Sequence, residues 1–272
     1  MRLSVRHTTR YRFDNPVVHA LQRLRLTPKE TQGQEILEWD MEYENAHPEL
    51  TYEDQHHNTV TLISVESGAQ EVTVTCRGKV ETSDHAGVIG RHAGHLPLWS
   101  FQGQTALTRP GPGMRKLMKQ VSGGGEGRLE MLHRLSSQIL EQVEYRTGTT
   151  HSRTSAEEAF AKGTGVCQDH AHIFIGIARA LDVPARYVSG YLMMNDRIEQ
   201  EAGHAWAEAF VDDLGWVGFD ISNGISPDAR YIRVATGRDY RDAAPITGIS
   251  FGSTTSSLEV DVAVEQQQVQ QQ

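Results

Sequence analysis

The sequence predicts an α+β protein in which a β-rich N-terminal module precedes a mixed core of helices and strands. Three observations lead to this prediction. Apolar and polar residues alternate in several stretches of the first hundred positions, the period-2 pattern of half-buried strands. A helical stripe of apolar residues follows between positions 129 and 143, and strand patterns return after position 185. The periodicity therefore separates a strand-only region from a mixed region.

Two alternations define the clearest strands of the N-terminal module. Apolar side chains share one face at Leu37, Trp39, Met41 and Tyr43, and again at Val72, Val74 and Cys76. Between them, residues 60–65 form another apolar stretch, and Asp14-Asn15-Pro16 is an earlier turn signal. We expect Cys76 to be a small buried residue of this antiparallel module.

Glycine and proline interrupt the chain after the N-terminal module, in Arg109-Pro110-Gly111-Pro112-Gly113 and in Ser122-Gly123-Gly124-Gly125. Regular structure is difficult to maintain at this density of both residues, so we predict a linker over residues 101–127. A long inserted loop is the alternative interpretation.

The core is expected to begin with three helices. The first carries the apolar stripe of Leu129, Leu132, Leu135, Ile139 and Val143. The capping-box pattern Thr154-Ser155-Ala156-Glu157 opens a second, short helix that Gly163 can end. The third should begin at or just after Cys167 and end before Pro184, with its buried face at Ala171, Phe174, Ile175 and Ala178.

Strands are expected at 185–194, 204–211 and 216–222, with residues 212–215 closing a hairpin between the last two. Residues 258–264 alternate once more, and the glutamine-rich end is typical of a disordered tail. The predicted division is an N-terminal module (1–100), a linker (101–127), a core (128–245), a C-terminal strand segment (246–264) and a disordered tail (265–272).

Composition excludes several classes of function. The 272 residues carry a formal net charge of -9, which argues against a general nucleic-acid-binding surface. No apolar stretch is long enough to span a membrane, and no secretory signal pattern follows the N-terminus, so we expect no membrane partner and a cytoplasmic location. A disulfide between the two cysteines, Cys76 and Cys167, is conceivable, but free thiols are the expectation in a reducing compartment.

Cys167, His204 and Asp220 are the candidate catalytic residues. A cysteine at the first turn of a helix lies where unpaired N–H groups and the helix dipole favour a thiolate. If residues 204–222 form an antiparallel hairpin, His204 and Asp220 lie at the same end of it. The carboxylate can then orient the imidazole toward the thiol. Each residue also has a structural interpretation: a small buried residue, a half-buried surface histidine and a strand-end cap.

Four segments of the core resemble the transglutaminase-like superfamily, in particular its bacterial branch of candidate cysteine proteases with a β-rich N-terminal region. The segments are Gly165-Val166-Cys167-Gln168-Asp169, residues 185–192, His204-Ala205-Trp206 and residues 215–220. The resemblance implies a papain-like core, a cysteine-bearing helix packed on an antiparallel sheet. It also implies a nucleophile at Cys167, a general base and acid at His204 and an orienting carboxylate at Asp220.

Two further positions follow from this resemblance. The family often has an aromatic residue upstream of the cysteine that helps to hold the oxyanion, and Tyr145 is its best match here; an aromatic cap on the preceding helix is the alternative. The position of His170 usually carries an apolar aromatic residue in the family. A histidine there could tune the thiol or pack as an aromatic residue would.

Zinc is the alternative that this histidine raises. Cys167, His170, His172 and His204 are all zinc-ligand types, and His85, His92 and His95 occur in a glycine-rich loop. The spacing Cys-x2-His-x-His is unusual for zinc, and residues 170 and 172 of a helix point about 200° apart. We therefore expect neither a metal nor another cofactor, and we interpret the loop histidines as solvated.

The sequence thus predicts a cysteine-dependent hydrolase of amide or peptide bonds that acts through a thioester on a protein or peptide substrate. Acyl transfer from protein glutamine to an amine is one alternative. A non-catalytic scaffold that binds proteins through the β module is the other. A combination is also open, in which the module binds the substrate chain that the core cleaves.

Overall fold

The computed structural model describes residues 1–123, 125, 127–200, 202–251 and 256–267. Within these residues the chain is a strand-rich α+β fold with sixteen strands, five α-helices and one short 3-10 helix, Leu98–Phe101. The strands are β1 Arg2–Phe13, β2 His19–Leu24, β3 Gln34–Glu44, β4 Ala46–Glu53, β5 Thr59–Val65, β6 Glu71–Thr82, β7 Val88–Gly90, β8 Glu144–Tyr145, β9 Thr164–Gly165, β10 Ala185–Leu192, β11 Glu199–Gln200, β12 His204–Val211, β13 Gly215–Phe219, β14 Tyr231–Gly237, β15 Ile246–Phe251 and β16 Ser256–Gln266. The helices are α1 Pro112–Ser122, α2 Arg128–Gln142, α3 Ala156–Lys162, α4 Cys167–Ala180 and α5 Tyr240–Ala243.

The N-terminal module consists of two antiparallel sheets that enclose an apolar core. One sheet has the strand order β11-β16-β1-β6-β3, and the other has the order β15-β2-β5-β4. Ile63, Val72, Val74 and Cys76 are fully or almost fully buried in the core of the module. The prediction that Cys76 is a buried structural residue is confirmed, and burial raises the pKa of its thiol to about 12.

The last two described strands complete this module. β15 pairs with β2, and β16 pairs with β1 along eleven residue pairs, from Leu3 opposite Gln266 to Phe13 opposite Ser256. Glu265 and Gln266, which the sequence predicts to lie in a disordered tail, are part of this strand because they pair with Ser4 and Leu3 of β1. The N–H of Gln267 donates to the Arg2 carbonyl at 3.0 Å, and the rest of the predicted tail, residues 268–272, lies outside the described residues.

One alternation in the module is interrupted. The pairing of β3 with β6 shifts between Ile36 and Glu38, and Leu37 is 37% exposed. A bulge adds one residue to a strand and so changes the face on which the next side chains lie. Leu37 therefore does not share the inward face with Trp39, Met41 and Tyr43, as the sequence pattern predicts.

The central sheet of the core has the strand order β14-β10-β12-β13-β7. Helix α4 packs against β12, whose inward face presents Ala205, Ala207 and Ala209, all buried. Alanine side chains are short, so the helix axis can approach the sheet closely. The predicted hairpin of residues 204–222 is present, with Ala207 opposite Phe219 and Val211 opposite Gly215.

The other face of the central sheet carries a buried charged cluster. Glu208 accepts hydrogen bonds from Arg186 at 2.5 Å and from Arg233 at 2.7 Å. Gln34 of the N-terminal module donates to the Arg233 carbonyl at 2.8 Å, and Asn58 donates to the Thr236 carbonyl at 2.8 Å. Both of these carbonyls belong to β14, the edge strand of the central sheet, so the N-terminal module is attached along this edge.

The predicted linker instead contains the helix α1, which is packed into the core. Met114, Leu117 and Val121 of α1 are buried, and the side chain of Glu157 accepts hydrogen bonds from the N–H groups of Gly111, Gly113 and Met114. Proline is favoured at the first position of a helix, where its missing N–H is not needed. Residues 112–122 thus form a helix whose N-terminus is capped by a residue distant in sequence, which a local reading of glycine and proline does not detect.

The predicted helices of the core are present. Ser155 caps the short helix α3 with Glu158, one residue later than the predicted box, and Gly163 ends it in a left-handed conformation with φ of 69°. Helix α4 begins at Cys167 as expected, but His170, His172 and Arg179 are buried along with its apolar residues. Helices α1, α2 and α3 contact α4 on the sides that the sheet leaves open.

None of the helices in the described ranges combines the length and the apolar character that crossing a lipid bilayer requires. The longest, α2, has 15 residues and includes charged side chains.

The close contact between α4 and the segment before α1 gives a test of this packing. A Cβ atom on Gly176 would lie 2.0 Å from the carbonyl oxygen of Thr108, so Gly176→Ala forces the two segments apart. We expect a loss of about 2 kcal/mol or more in the free energy of unfolding, measured by urea denaturation, although alanine favours helix by about 1 kcal/mol. Gly123→Ala is the control, because its Cβ would approach only Lys119, at 3.9 Å; an equal effect of both variants would contradict this packing.

Candidate active site

Cys167 is the first residue of α4, and its side chain is partly exposed. The carboxylate of Asp169 accepts hydrogen bonds from the Val166 N–H at 2.8 Å and from the Thr150 hydroxyl at 2.6 Å. This carboxylate fixes the turn that presents the cysteine. A Cβ atom on Gly165 would lie 2.8 Å from that of Asp169, so this glycine makes room for the capping side chain.

His204 and Asp220 lie at the open end of the β12–β13 hairpin, as their sequence positions predict. The Nε2 atom of His204 donates a hydrogen bond to Oδ2 of Asp220 at 2.6 Å. Cys167 and His204 both line the cavity beside the site, and Cys167 is one of the groups that raise the pKa of His204, so the thiol lies beside the imidazole. Since Nε2 is hydrogen-bonded to the carboxylate, Nδ1 is the ring nitrogen available to the thiol. The structure brings all three predicted residues together.

Asp220 is fully buried and has two partners that sequence reasoning did not identify. The hydroxyl of Tyr231 donates to Oδ2 at 2.6 Å, and the side-chain amide of Asn223 donates to the same atom at 2.7 Å. Burial alone would raise the pKa of Asp220, but the hydrogen bonds from His204, Tyr231 and Asn223 hold it below its usual value. Asn223 follows Asp220 closely enough to be found as a local cap, whereas nothing in the sequence links Tyr231 to the site.

The electrostatics at His204 favour its charged form. Burial alone would lower the pKa of His204, but the hydrogen bond to Asp220 and the hydrogen bond and charge of Cys167 raise it to about 10. A histidine with a raised pKa is protonated below that value and loses its charge as the pH rises through it. The imidazolium is therefore the favoured form across the neutral range, next to a partly exposed thiol.

Tyr145 lies on β8, which pairs in parallel with β9 just before the cysteine. The Arg146 N–H donates to the Gly165 carbonyl at 2.8 Å and fixes the two segments together. The pKa of the Tyr145 phenol is raised by burial and then by the charges of Cys167 and Asp220. Its side chain remains 49% exposed, so the phenol is near the thiol and accessible to a bound molecule.

His170 and His172 are both engaged in hydrogen bonds within the fold. His170 Nε2 donates to the Val143 carbonyl at 2.9 Å, and its Nδ1 accepts from the Ser222 hydroxyl at 2.8 Å. Burial lowers the pKa of His170, in keeping with this neutral tautomer. His172 Nε2 accepts from the Tyr240 N–H at 3.1 Å. His170 thereby connects α4 to the chain just before Tyr145 and just after Asp220, a role that its sequence position does not reveal.

Within the described residues, metal-ligand atoms come within 4.8 Å of one another at Glu53, His57 and His95, a half-exposed group outside the site. His92, from the same glycine-rich loop as His95, accepts a hydrogen bond from the Trp216 indole at 3.1 Å. His85 and His95 are exposed, as expected for solvated loop histidines, whereas His92 is partly buried in the packing around Trp216.

A cavity of about 300 Å³ adjoins the site. Cys167 and His204 form part of its lining, together with residues of the N-terminal module such as Thr9 and Tyr11. The site therefore combines the partly exposed thiol of Cys167, the charged imidazole of His204 and the buried carboxylate of Asp220 with space for a bound molecule beside them. This arrangement can carry out acyl transfer through a thiol.

Two family models match the chain. Residues 115–221 match the model of the transglutaminase-like superfamily, and residues 3–81 match the model of the bacterial transglutaminase-like N-terminal region. The first match includes Cys167, His204 and Asp220, and the second covers most of the N-terminal module.

Similar proteins extend these matches over nearly the whole chain. An uncharacterized protein of Mycobacterium leprae is 28% identical in an alignment of 281 positions that covers 97% of this chain and 98% of that protein. An uncharacterized protein of Mycobacterium bovis is also 28% identical, over 97% of this chain and 92% of its own length. The crystal structure of a candidate cysteine protease from Cytophaga hutchinsonii superimposes with a TM-score of 0.77 and 23% identity, over 99% of this chain and 92% of that one. That structure shares the fold.

The bridging role of His170 can be tested with His170→Phe, which keeps an aromatic ring but removes both hydrogen bonds. The Val143 carbonyl then loses its donor in a buried position, so we expect the free energy of unfolding to fall by about 1–3 kcal/mol. Urea denaturation measures the loss. His170→Gln, which can still donate to Val143, should lose less. Unchanged stability of the phenylalanine variant would show that the two bonds contribute nothing.

Proposed function

The chain belongs to the transglutaminase-like superfamily through its core, residues 115–221, and on this basis we propose that it is a cysteine-dependent hydrolase of amide or peptide bonds. The observation that supports this proposal most strongly is that Cys167 and His204 line one cavity, where Asp220 is hydrogen-bonded to the imidazole and Asp220 and Cys167 raise its pKa to about 10. A thiolate next to an imidazolium is the reactive form of such a pair. The proposed substrate is a protein or peptide.

In the first step, the sulfur of Cys167 attacks the carbonyl carbon of the scissile amide. A carbon–sulfur bond forms, and the carbonyl oxygen takes the negative charge. Cys167 is the first residue of α4, so its N–H has no partner within the helix and can donate to this oxyanion. We assign the second donor to the phenol of Tyr145, because it lies close enough for its pKa to respond to Cys167.

In the second step, the carbon–nitrogen bond breaks and His204 gives its proton to the departing amine. The products of this step are a free amine and a thioester at Cys167. Neutral His204 then takes a proton from water as the water attacks the thioester, which releases the acid and restores the starting state. Asp220 holds the imidazole in one orientation throughout, because its own partners Tyr231 and Asn223 fix the carboxylate.

Acyl transfer to an amine is the second candidate, and the superfamily match is the observation that favours it. Both candidates share the thioester and differ only in the acceptor. An acetyl group placed on Cys167 by p-nitrophenyl acetate distinguishes the two candidates. In the presence of glycinamide, water as acceptor gives acetate and glycinamide as acceptor gives acetyl-glycinamide. If acetyl-glycinamide predominates, the proposed activity is acyl transfer and not hydrolysis.

A non-catalytic scaffold is the less favoured alternative. Asp220 is a carboxylate with no exposed surface that accepts several hydrogen bonds at the end of a strand. A buried carboxylate that is hydrogen-bonded to an imidazole beside a partly exposed thiol is typical of a catalytic site, and protein binding does not require it.

The proposal predicts that Cys167 is alkylated by iodoacetamide rapidly at about pH 6, because the thiolate is stabilised by the His204 imidazolium. We expect His204→Ala to slow this reaction by about tenfold or more at that pH. Mass spectrometry of the intact protein and of its peptides gives the rate at each cysteine.

Cys76 is the internal control in the same sample, because its buried thiol with a pKa raised to about 12 should react only on unfolding. Equal rates at the two cysteines, with no effect of His204→Ala, would show that the pair is not ionised and would overturn the proposed enzyme activity.

A further inference from the structure

The cavity beside the site is built by both parts of the chain. Cys167 and His204 lie on its core side, and Thr9, Tyr11, Leu258 and Val260 line it from the N-terminal module. These four residues belong to two paired strands, since Thr9 lies opposite Val260 and Tyr11 opposite Leu258. Strands β1 and β16 of the N-terminal module therefore form one wall of the cavity.

We propose that this cavity binds the side chain of the acyl group that Cys167 attacks, and that it selects large, uncharged, apolar side chains. This inference rests on the proposed hydrolase activity and adds its substrate class. An acyl group stays bound to Cys167 until the thioester is hydrolysed, whereas the amine leaves after the first step. A cavity that adjoins the sulfur is therefore suited to the group that remains.

The chemistry of the lining supports an apolar occupant. Leu26, Val234, Ile246 and Val260 contribute aliphatic surface. Two polar residues of the lining are neutral at ordinary pH, because burial lowers the pKa of His7 to about 4 and burial, followed by the charge of Tyr240, raises the pKa of Tyr11 to about 12. The histidine is held by the Tyr191 hydroxyl at 2.8 Å and by that of Thr9 at 2.9 Å. The charged side chains of the lining are Arg25 and His204.

The same lining opposes a cationic side chain. Neither Asp nor Glu occurs among the lining residues of the described chain, and the guanidinium that lines it, Arg25, donates to Asp54 at 3.1 Å. A lysine or arginine side chain would lose water there and find no carboxylate, which is costly for a charged group. The volume of about 300 Å³ is at the lower end of the range for small-molecule sites and can hold a large aromatic side chain.

A series of chloromethyl ketones tests the proposal directly. We would use N-acetyl-phenylalanyl, N-acetyl-alanyl and N-acetyl-lysyl chloromethyl ketone, each of which places its side chain next to the carbonyl while Cys167 sulfur displaces chloride. The second-order rate of Cys167 alkylation is measured by intact mass and divided by the iodoacetamide rate of the same protein. We expect the phenylalanyl compound to react at least about tenfold faster than either of the others.

A matched pair of variants locates the selectivity. Val260→Trp fills the cavity from the β16 wall and should bring the phenylalanyl rate to that of the alanyl compound or below. Glu259→Trp adds the same bulk on the neighbouring, exposed position of β16 and should leave the preference intact. Circular dichroism verifies that both variants are folded. If either variant does not fold, the three ketone rates of the unaltered protein still test the selectivity.

The two proposals fail in different ways. Rapid iodoacetamide labelling with equal rates for the three ketones, or with the lysyl compound fastest, would overturn the apolar selectivity and leave the hydrolase proposal intact. Loss of the preference in both tryptophan variants would overturn the assignment to this wall. Slow iodoacetamide labelling of Cys167 would overturn the hydrolase proposal and this inference with it.

Discussion

The close packing of α4 on the alanine face of β12 is the constraint on which the candidate site depends. Ala205, Ala207 and Ala209 leave no large side chain between helix and sheet, so the first residue of the helix comes beside the first residue of the strand. Those residues are Cys167 and His204. A larger residue at one of the alanine positions would separate the thiol from the imidazole even if the fold survived, because packed interiors accommodate added volume by backbone shifts. The chemistry of the site is therefore a consequence of short side chains that take no part in it.

A second requirement is a buried anion that the fold can tolerate. Asp220 is fully buried, yet it accepts hydrogen bonds from His204, Tyr231 and Asn223, which come from three different segments. These bonds stabilise the carboxylate, and the carboxylate in turn raises the pKa of His204. The arrangement couples the site to β14, which carries Tyr231, and through that strand to the N-terminal module, because Gln34 bonds to the Arg233 carbonyl of the same strand. The N-terminal module is thus connected to the site in two ways, through this strand and through the wall of the cavity.

Local patterns in the sequence predict the site better than they predict the architecture. The hairpin of residues 204–222 places His204 near Asp220 once its register is known, and the glycines before Cys167 mark the start of α4. The family resemblance adds the nucleophile, base and carboxylate, and the superfamily match is shown over residues 115–221. Contacts between distant segments are what the patterns miss. They include the pairing of β16 with β1, the capping of α1 by Glu157, and the link from His170 to Val143 and Ser222. In each case the partner is too far along the chain for periodicity or turn signals to identify it.

The proposed activity depends on a thiolate–imidazolium pair between Cys167 and His204. The most direct test is a pH titration of the imidazole nitrogens of His204 by NMR, in protein labelled with 15N at histidine. We expect both nitrogens to carry protons at neutral pH and the ring to lose its charge near pH 10, the value to which its pKa is raised. Replacing Cys167 with alanine should lower this pKa, because one of the groups that stabilise the charge is then absent. A neutral His204 ring at pH 7 in the unaltered protein would show that the two residues do not form this ion pair.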